Sequence, residues 1–189
     1  MYMPDEAWER EPPHLREIVL FLSVHLDRTP GVLWPEYDNP AFGVVDDTDG
    51  VDGDEVDEVV VEGADDAGAG SAGGGVCPAQ VDRFTRELAS LTGLSVRLDR
   101  VETAGAVPGI GADAAWTGQP GGREHLLIHQ IAGAVTWQLG GAGESGRPES
   151  FQCRLLPGEL LYVPAGWSRR RLGTPRARYA VICLGSKGD

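Results

Sequence analysis

The side chains with chemistry to offer gather in two short stretches. In "REHLLIHQ", Glu124, His125 and His129 stand close together, and these are donor types that hold a first-row metal ion or move a proton. Their spacing argues against one shared ion. Positions four apart on a strand share a face but stand about 13 Å apart, and Glu124 points away from His125. By the same parity Gly122, Glu124, Leu126, Ile128 and Gln130 line one face, while His125 and His129 point outward as solvated or interface histidines. The second stretch, "PAGWSRRRL", sets Trp167 beside Arg169 in a basic run continued by Arg176 and Arg178. Such a run is ordinarily a solvated face. The sharper alternative is that Arg169 and its neighbours grip a carboxylate or phosphate through paired, charge-assisted bonds, or clasp the chain's own acid.

Other chemistries find little support. The glycines of "GIGADAAWTGQPGG" do not match a dinucleotide loop and do not separate a strand from a helix, and no Ser, Cys or Thr sits in a nucleophile elbow. Cys77, Cys153 and Cys183 form no CxxC, so neither a disulfide framework nor a zinc knuckle is signalled, and Cys153 and Cys183 read as core residues. His14 and His25 flank the first helix as surface or capping residues. The net charge of −13 disfavours phosphate backbones and anionic lipid, so nucleic acid and membrane are poor partners. Eleven Asp and Glu fall between Asp46 and Asp66 with no Lys or Arg, and without them the remainder is close to neutral. Their spacing fails the calcium-loop pattern, with Val51 and Val56 where a ligand is needed.

These residues need a scaffold, and the chain supplies one unevenly. "PPHLREIVLFLSVHL" has helical spacing at Leu15, Ile18, Val19 and Leu22 behind a Pro-Pro start. "RTPGVLWPEYDNPAFG" reads as an ordered loop pinned by Trp34, Tyr37 and Phe42. From Val45 to Gly75, acid gives way to a Gly/Ala/Ser tract without an aromatic residue, a composition predicting disorder apart from a possible edge strand at "EVVVE". "CPAQVDRFTRELASLTG" is an amphipathic helix through Val81, Phe84, Leu88 and Leu91, with Gly93 as its cap. "LSVRLDRVE" alternates as a strand does, and "HLLIHQIAG", "AVTWQLG", "SFQCRLL", "ELLYVPAG" and "RYAVICLG" add five more. Many short strands behind helices predict a barrel or sandwich.

"FTRELASLTGLSVRLDRVETAG", "HLLIHQIAGAVTWQL" and "LLPGELLYVPAGWSRRRL" resemble, in that order and with similar gaps, the cupin-like JmjC oxygenases of the ribosomal-protein-hydroxylase type, over Phe84 to Leu184. The resemblance implies a mainly β fold, the cupin double-stranded β-helix or jelly-roll barrel with N-terminal helices. It also implies iron(II) held by a His-x-Asp pair and a distant His, with 2-oxoglutarate alongside. Aligned on Gln130 and Gly133, the pair falls near Pro120 and Gly122, the distant His at Arg169, and the 2-oxoglutarate lysine at Val135. None of these can play the part, and a guanidinium has no lone pair to offer a metal.

The expected organisation is therefore an N-terminal helix and ordered loop over 1–44, an acidic disordered insertion over 45–75, and a helix plus barrel over 76–189. The expected role is a non-catalytic binding or accessory protein for a peptide, protein or small anionic ligand. No metal and no cofactor are expected, and Trp167, Arg169, Gln130 and Trp137 are the ligand-binding residues at the barrel mouth. The alternative is an enzyme: an iron(II) and 2-oxoglutarate hydroxylase with displaced ligands drawn from Asp113, Glu124, His125 and His129, or a cofactor-free cupin enzyme. The start, "MYMPDEAWEREPP", lacks the features of a secretory signal, so a cytoplasmic protein is expected, with homodimerisation left open.

Overall fold

Helix α1, Pro13–His25, begins where proline's fixed φ suits the first turn and costs no helical hydrogen bond, and it buries Leu15, Ile18 and Leu22. Helix α2, Pro78–Thr92, buries Val81, Phe84 and Leu88 along one stripe. It closes at Gly93, whose N–H donates to the Ala89 carbonyl at 3.0 Å. The computed structural model describes residues 11–42, 76–103, 121–142, 148–173 and 177–185. The insertion over 45–75, Asp113 and Pro120 lie outside them.

The strands are β1 (Gly31–Leu33), β2 (Ser95–Thr103), β3 (His125–Ala132), β4 (Val135–Ala142), β5 (Pro148–Leu155), β6 (Leu160–Val163), β7 (Ser168–Gly173) and β8 (Arg178–Gly185). They form an antiparallel sheet in the order β1-β6-β3-β8-β2 and a smaller one in the order β5-β4-β7. The chain passes from one sheet to the other at β3–β4, β5–β6, β6–β7 and β7–β8, so sequence neighbours face each other across the core. This double-wound path is that of a jelly roll, the architecture of cupins, with β1 added at the edge of the large sheet beside β6.

The large sheet is buried on both faces, which is why β3, β6 and β8 read as nearly continuous apolar runs. Its outer face sends Leu127, Ile131, Leu160, Tyr162, Ala180, Ile182 and Leu184 against α1, α2 and Phe42. Its inner face sends Leu126, Ile128, Leu161, Val163, Tyr179, Val181 and Cys183 toward Val135, Trp137, Leu139 and Trp167.

Two expectations about local structure are corrected here. The Pro/Gly-rich stretch after α1 contains the strand β1, and its aromatic pins reduce to Phe42, because Trp34 and Tyr37 are exposed. The loop is held instead by the Glu17 carboxylate, which accepts the N–H groups of Glu36 and Tyr37, and by Asn39, whose side chain accepts the N–H of Ala41. The arginine run is not a solvated face throughout: it forms β7, and a strand's period of two sends alternate guanidiniums inward.

Candidate functional site

The inner face of β7 carries Trp167, Arg169 and Arg171. In register, Arg169 lies beside Leu139 and Arg171 beside Trp137, both inner residues of β4. Arg169 is 9% exposed and Trp137 3%. From the facing sheet, β2 contributes Arg100 and Glu102. A register shift between Leu98 and Arg100 makes this possible. Before it Val96 and Leu98 pair with the outward Leu184 and Ile182, and after it Arg100 and Glu102 pair with the inward Val181 and Tyr179. A one-residue irregularity thus swings two charged side chains into the barrel.

Glu102 is the centre of this group. It accepts hydrogen bonds from the Tyr179 hydroxyl and the Arg100 guanidinium and lies 3.5 Å from Arg171 Nη1. Burial alone raises its pKa, but those bonds and the charges of Arg100 and Arg171 outweigh burial and hold the carboxyl below its ordinary range. Tyr179, desolvated and donating to that carboxylate, is pushed up to about 12. Its hydroxyl also accepts from Arg171 Nη1 at 2.6 Å, and its ring takes the Trp137 indole edge-on at 5.3 Å. Arg169 is shifted the other way: burial, and then the nearby Arg100 charge, lower its pKa, with Glu102 opposing. The ground around Arg169 therefore disfavours further positive charge.

Two donors in this group stand apart. The Trp137 indole N–H and the Arg171 Nε–H are both buried and have no hydrogen-bond partner among the described residues, and their residues are register neighbours on adjacent strands. A buried donor left unpaired costs about 1–3 kcal/mol. Here two such donors, one of them cationic, stand beside a second guanidinium, that of Arg169.

The mouth above this group is shaped by the turn Pro164–Trp167. Trp167 N–H donates to the Pro164 carbonyl at 3.2 Å, and Gly166 sits at φ 79°, which a type II turn requires at its third residue. Trp167 then folds over the backbone of Gly141, where a Cβ would come within 2.4 Å of the indole. Gln130 is the register partner of Tyr179, at the end of the barrel away from this turn, and its amide donates to the carbonyls of Ala132 at 2.8 Å and Arg178 at 3.3 Å, bracing the β3–β4 hairpin.

The fallback metal ligands do not converge. Glu124 leans on the inner rim and accepts from Arg97 at 2.7 Å. His125 points to the outer face, where it meets Tyr162 and Asp27. His129 is also outward but not solvated: it is 3% exposed, 4.8 Å from the Phe42 ring, and its pKa is lowered by burial to about 4. Among the described residues no three His, Cys, Asp or Glu side chains cluster as a metal site. Gly122 has no side chain, and Arg169, where the resemblance puts the distant His, carries a guanidinium. The described donor set does not fit the iron and 2-oxoglutarate that the resemblance implies.

Of the residues singled out from the sequence, Trp137, Trp167 and Arg169 lie on this inner face; Arg171, Arg100, Glu102 and Tyr179, which share it, were not singled out. Stepping two residues along the strand from Arg169 reaches Arg171. No feature of "VRLDRVE" announces the bulge that turns Arg100 and Glu102 inward.

No protein-family model matches the chain, and no curated protein does. Among solved structures it is similar to a ribosomal oxygenase from Escherichia coli, with 23% identity and a TM-score of 0.40 over 58% of this chain and 28% of that one. It is also similar to HEPD from Streptomyces albus, solved with 2-hydroxyethylphosphonate and Fe(II) bound, with 18% identity and a TM-score of 0.32 over 38% of this chain and 15% of that one. A third is the QdtA 3,4-ketoisomerase from Thermoanaerobacterium thermosaccharolyticum, with 15% identity and a TM-score of 0.32 over 49% of this chain and 62% of that one. The chain thus spans under a third of the first two proteins. The jelly-roll assignment rests on the strand order itself. No helix among the described residues is long and apolar enough to cross a membrane.

Proposed function

We propose that the barrel interior binds a small anion, free or presented as a carboxylate by a peptide, and does so without oxidising it. One observation carries this reading: the Trp137 indole N–H and the Arg171 Nε–H are buried and, among the described residues, unpartnered, on side chains that are register neighbours. Donors of that kind are retained at a stability cost, and an oxyanion relieves it. Arg169 and Arg100 add positive potential, Trp167 and Trp137 supply apolar walls, and Glu102 restricts the ligand by repelling any anion that cannot stay on the arginine side. The depth of the donors favours a small carboxylate or oxyanion over a long segment of chain.

The test is calorimetric titration with malonate, phosphate and sulfate. Wild type should bind at least one of them saturably. Arg169→Ala should weaken that binding tenfold or more, since a charged hydrogen bond contributes about 1.5–3 kcal/mol, and Trp137→Phe should weaken it several-fold, since a neutral one contributes about 1 kcal/mol. Equal affinities across the three proteins would assign the two side chains to packing alone. A stoichiometric iron lost on changing Glu124 or His125 would restore the enzymatic alternative.

A further inference from the structure

We infer that His125, on the far side of the sheet from the anion-binding interior, is a positioning residue that sets the mouth turn through its unprotonated Nδ1. This rests on the binding reading above and adds to it the part that holds Trp167 and Arg169 in place. His125 sits at the start of β3 with its ring on the outer face. Its Nε2 lies 3.0 Å from Asp27 Oδ1, which fixes the proton on Nε2 and leaves Nδ1 as the acceptor. Two donors then address Nδ1: the Tyr162 hydroxyl at 2.8 Å and the backbone N–H of Ala165 at 3.1 Å. The Tyr162 oxygen is oriented in turn by the N–H of Asp27, which donates to it at 3.0 Å from a backbone held at φ 60°.

Ala165 is the second residue of the Pro164–Trp167 turn, so the imidazole holds the turn from outside the barrel. From the other side, Gly166 N–H donates to the Gly122 carbonyl at 2.9 Å. Gly121 packs so closely on Gly166 that a Cβ there would fall 2.2 Å from its carbonyl carbon. The turn is clamped between these two contacts. The turn's last residue is Trp167, and two residues on the chain delivers Arg169 to the interior. The end of α1, the outer face of the large sheet and the barrel mouth are thus joined through one imidazole. Loss of the Ala165 bond should let the turn swing, and Trp167 with it.

The two nitrogens can be removed separately. Asn carries an oxygen at the place of Nδ1 but cannot reach Asp27, and Gln reaches toward Asp27 but offers nothing at Nδ1. His125→Gln should raise amide hydrogen exchange at Ala165 and Gly166 about five- to tenfold, shift the Trp167 indole resonance, and weaken sulfate binding. His125→Asn should leave all three near wild type even where its melting temperature falls as far. Matching exchange at Ala165 in the two variants would overturn the inference and make His125 a packing residue. If the wild type takes no sulfate, the anion reading fails alone, and the exchange contrast still decides the role of His125. Should His125→Gln not fold, the nitrogen spectrum of wild-type His125 decides instead: an unprotonated Nδ1 supports the assignment, and a proton on Nδ1 refutes it, since it leaves Ala165 no acceptor.

Discussion

The two faces of the large sheet are made by alternate residues of the same strands, yet they follow opposite rules. On the outer face Leu127, Leu160, Ile182 and Leu184 meet α1 and α2, and even His129 is packed as a neutral ring against Phe42. On the inner face Leu126, Ile128 and Val181 share their layer with Arg100, Glu102, Arg169, Arg171 and Tyr179. Burying an apolar side chain contributes about 1.5–3 kcal/mol, whereas burying a charged or unpaired polar group costs free energy. The outer face therefore holds the fold together, and the inner face keeps groups that stability alone would have replaced. That asymmetry is the reason the proposed anion site is placed inside the barrel and most of the stabilising contact outside it.

The contrast is sharpest in truncation. Leu127→Ala, at the fully buried centre of the outer layer, should cost about 2–5 kcal/mol in denaturant unfolding, the range for emptying a packed leucine site. A loss below about 1 kcal/mol would show the helical layer to be loosely seated.

Acid should find the outer face through His129. Its folded pKa of about 4 lies below the ordinary 6.5, so the unfolded chain binds the proton first. The neutral ring's contribution is complete above pH 6.5 and is lost as pH falls through the folded value, by about 3 kcal/mol in all. His129→Leu should flatten that part of the stability profile. An unchanged slope between pH 6.5 and 4 would place the acid sensitivity elsewhere.

The smallest effect on stability belongs to the inner face. Trp137→Phe removes an unpartnered donor along with some apolar volume, so the two terms offset and stability should change by less than about 1 kcal/mol. Anion affinity should fall all the same, which separates the work of the two faces in one variant.

Much of the fold was legible in the sequence, because α1, α2, β3, β4 and β8 carry their periods openly. The strand β1 was hidden by flanking Pro and Gly, and β7 by three consecutive arginines, since a polar run reads as surface unless something opposite can receive it. The site was legible only in part. Trp167 and Arg169 followed from the turn "PAGW" and Trp137 from its strand, while parity gave Gln130 its inward face but not its height, which is that of Tyr179 and not of the mouth turn. Arg100 and Glu102 depended on a bulge. Strict alternation from Val96 and Leu98 puts both of them against the helices, and only the partner strand's register reveals otherwise.

The most direct test is the nitrogen-correlated spectrum of the tryptophan side chains during titration with malonate or sulfate. The Trp137 indole N–H should move downfield saturably as it gains an anionic acceptor, and Arg171→Leu should abolish the movement while the exposed Trp34 stays still throughout. A Trp137 signal that never saturates, or that drifts no more than Trp34, would contradict an anion site inside the barrel.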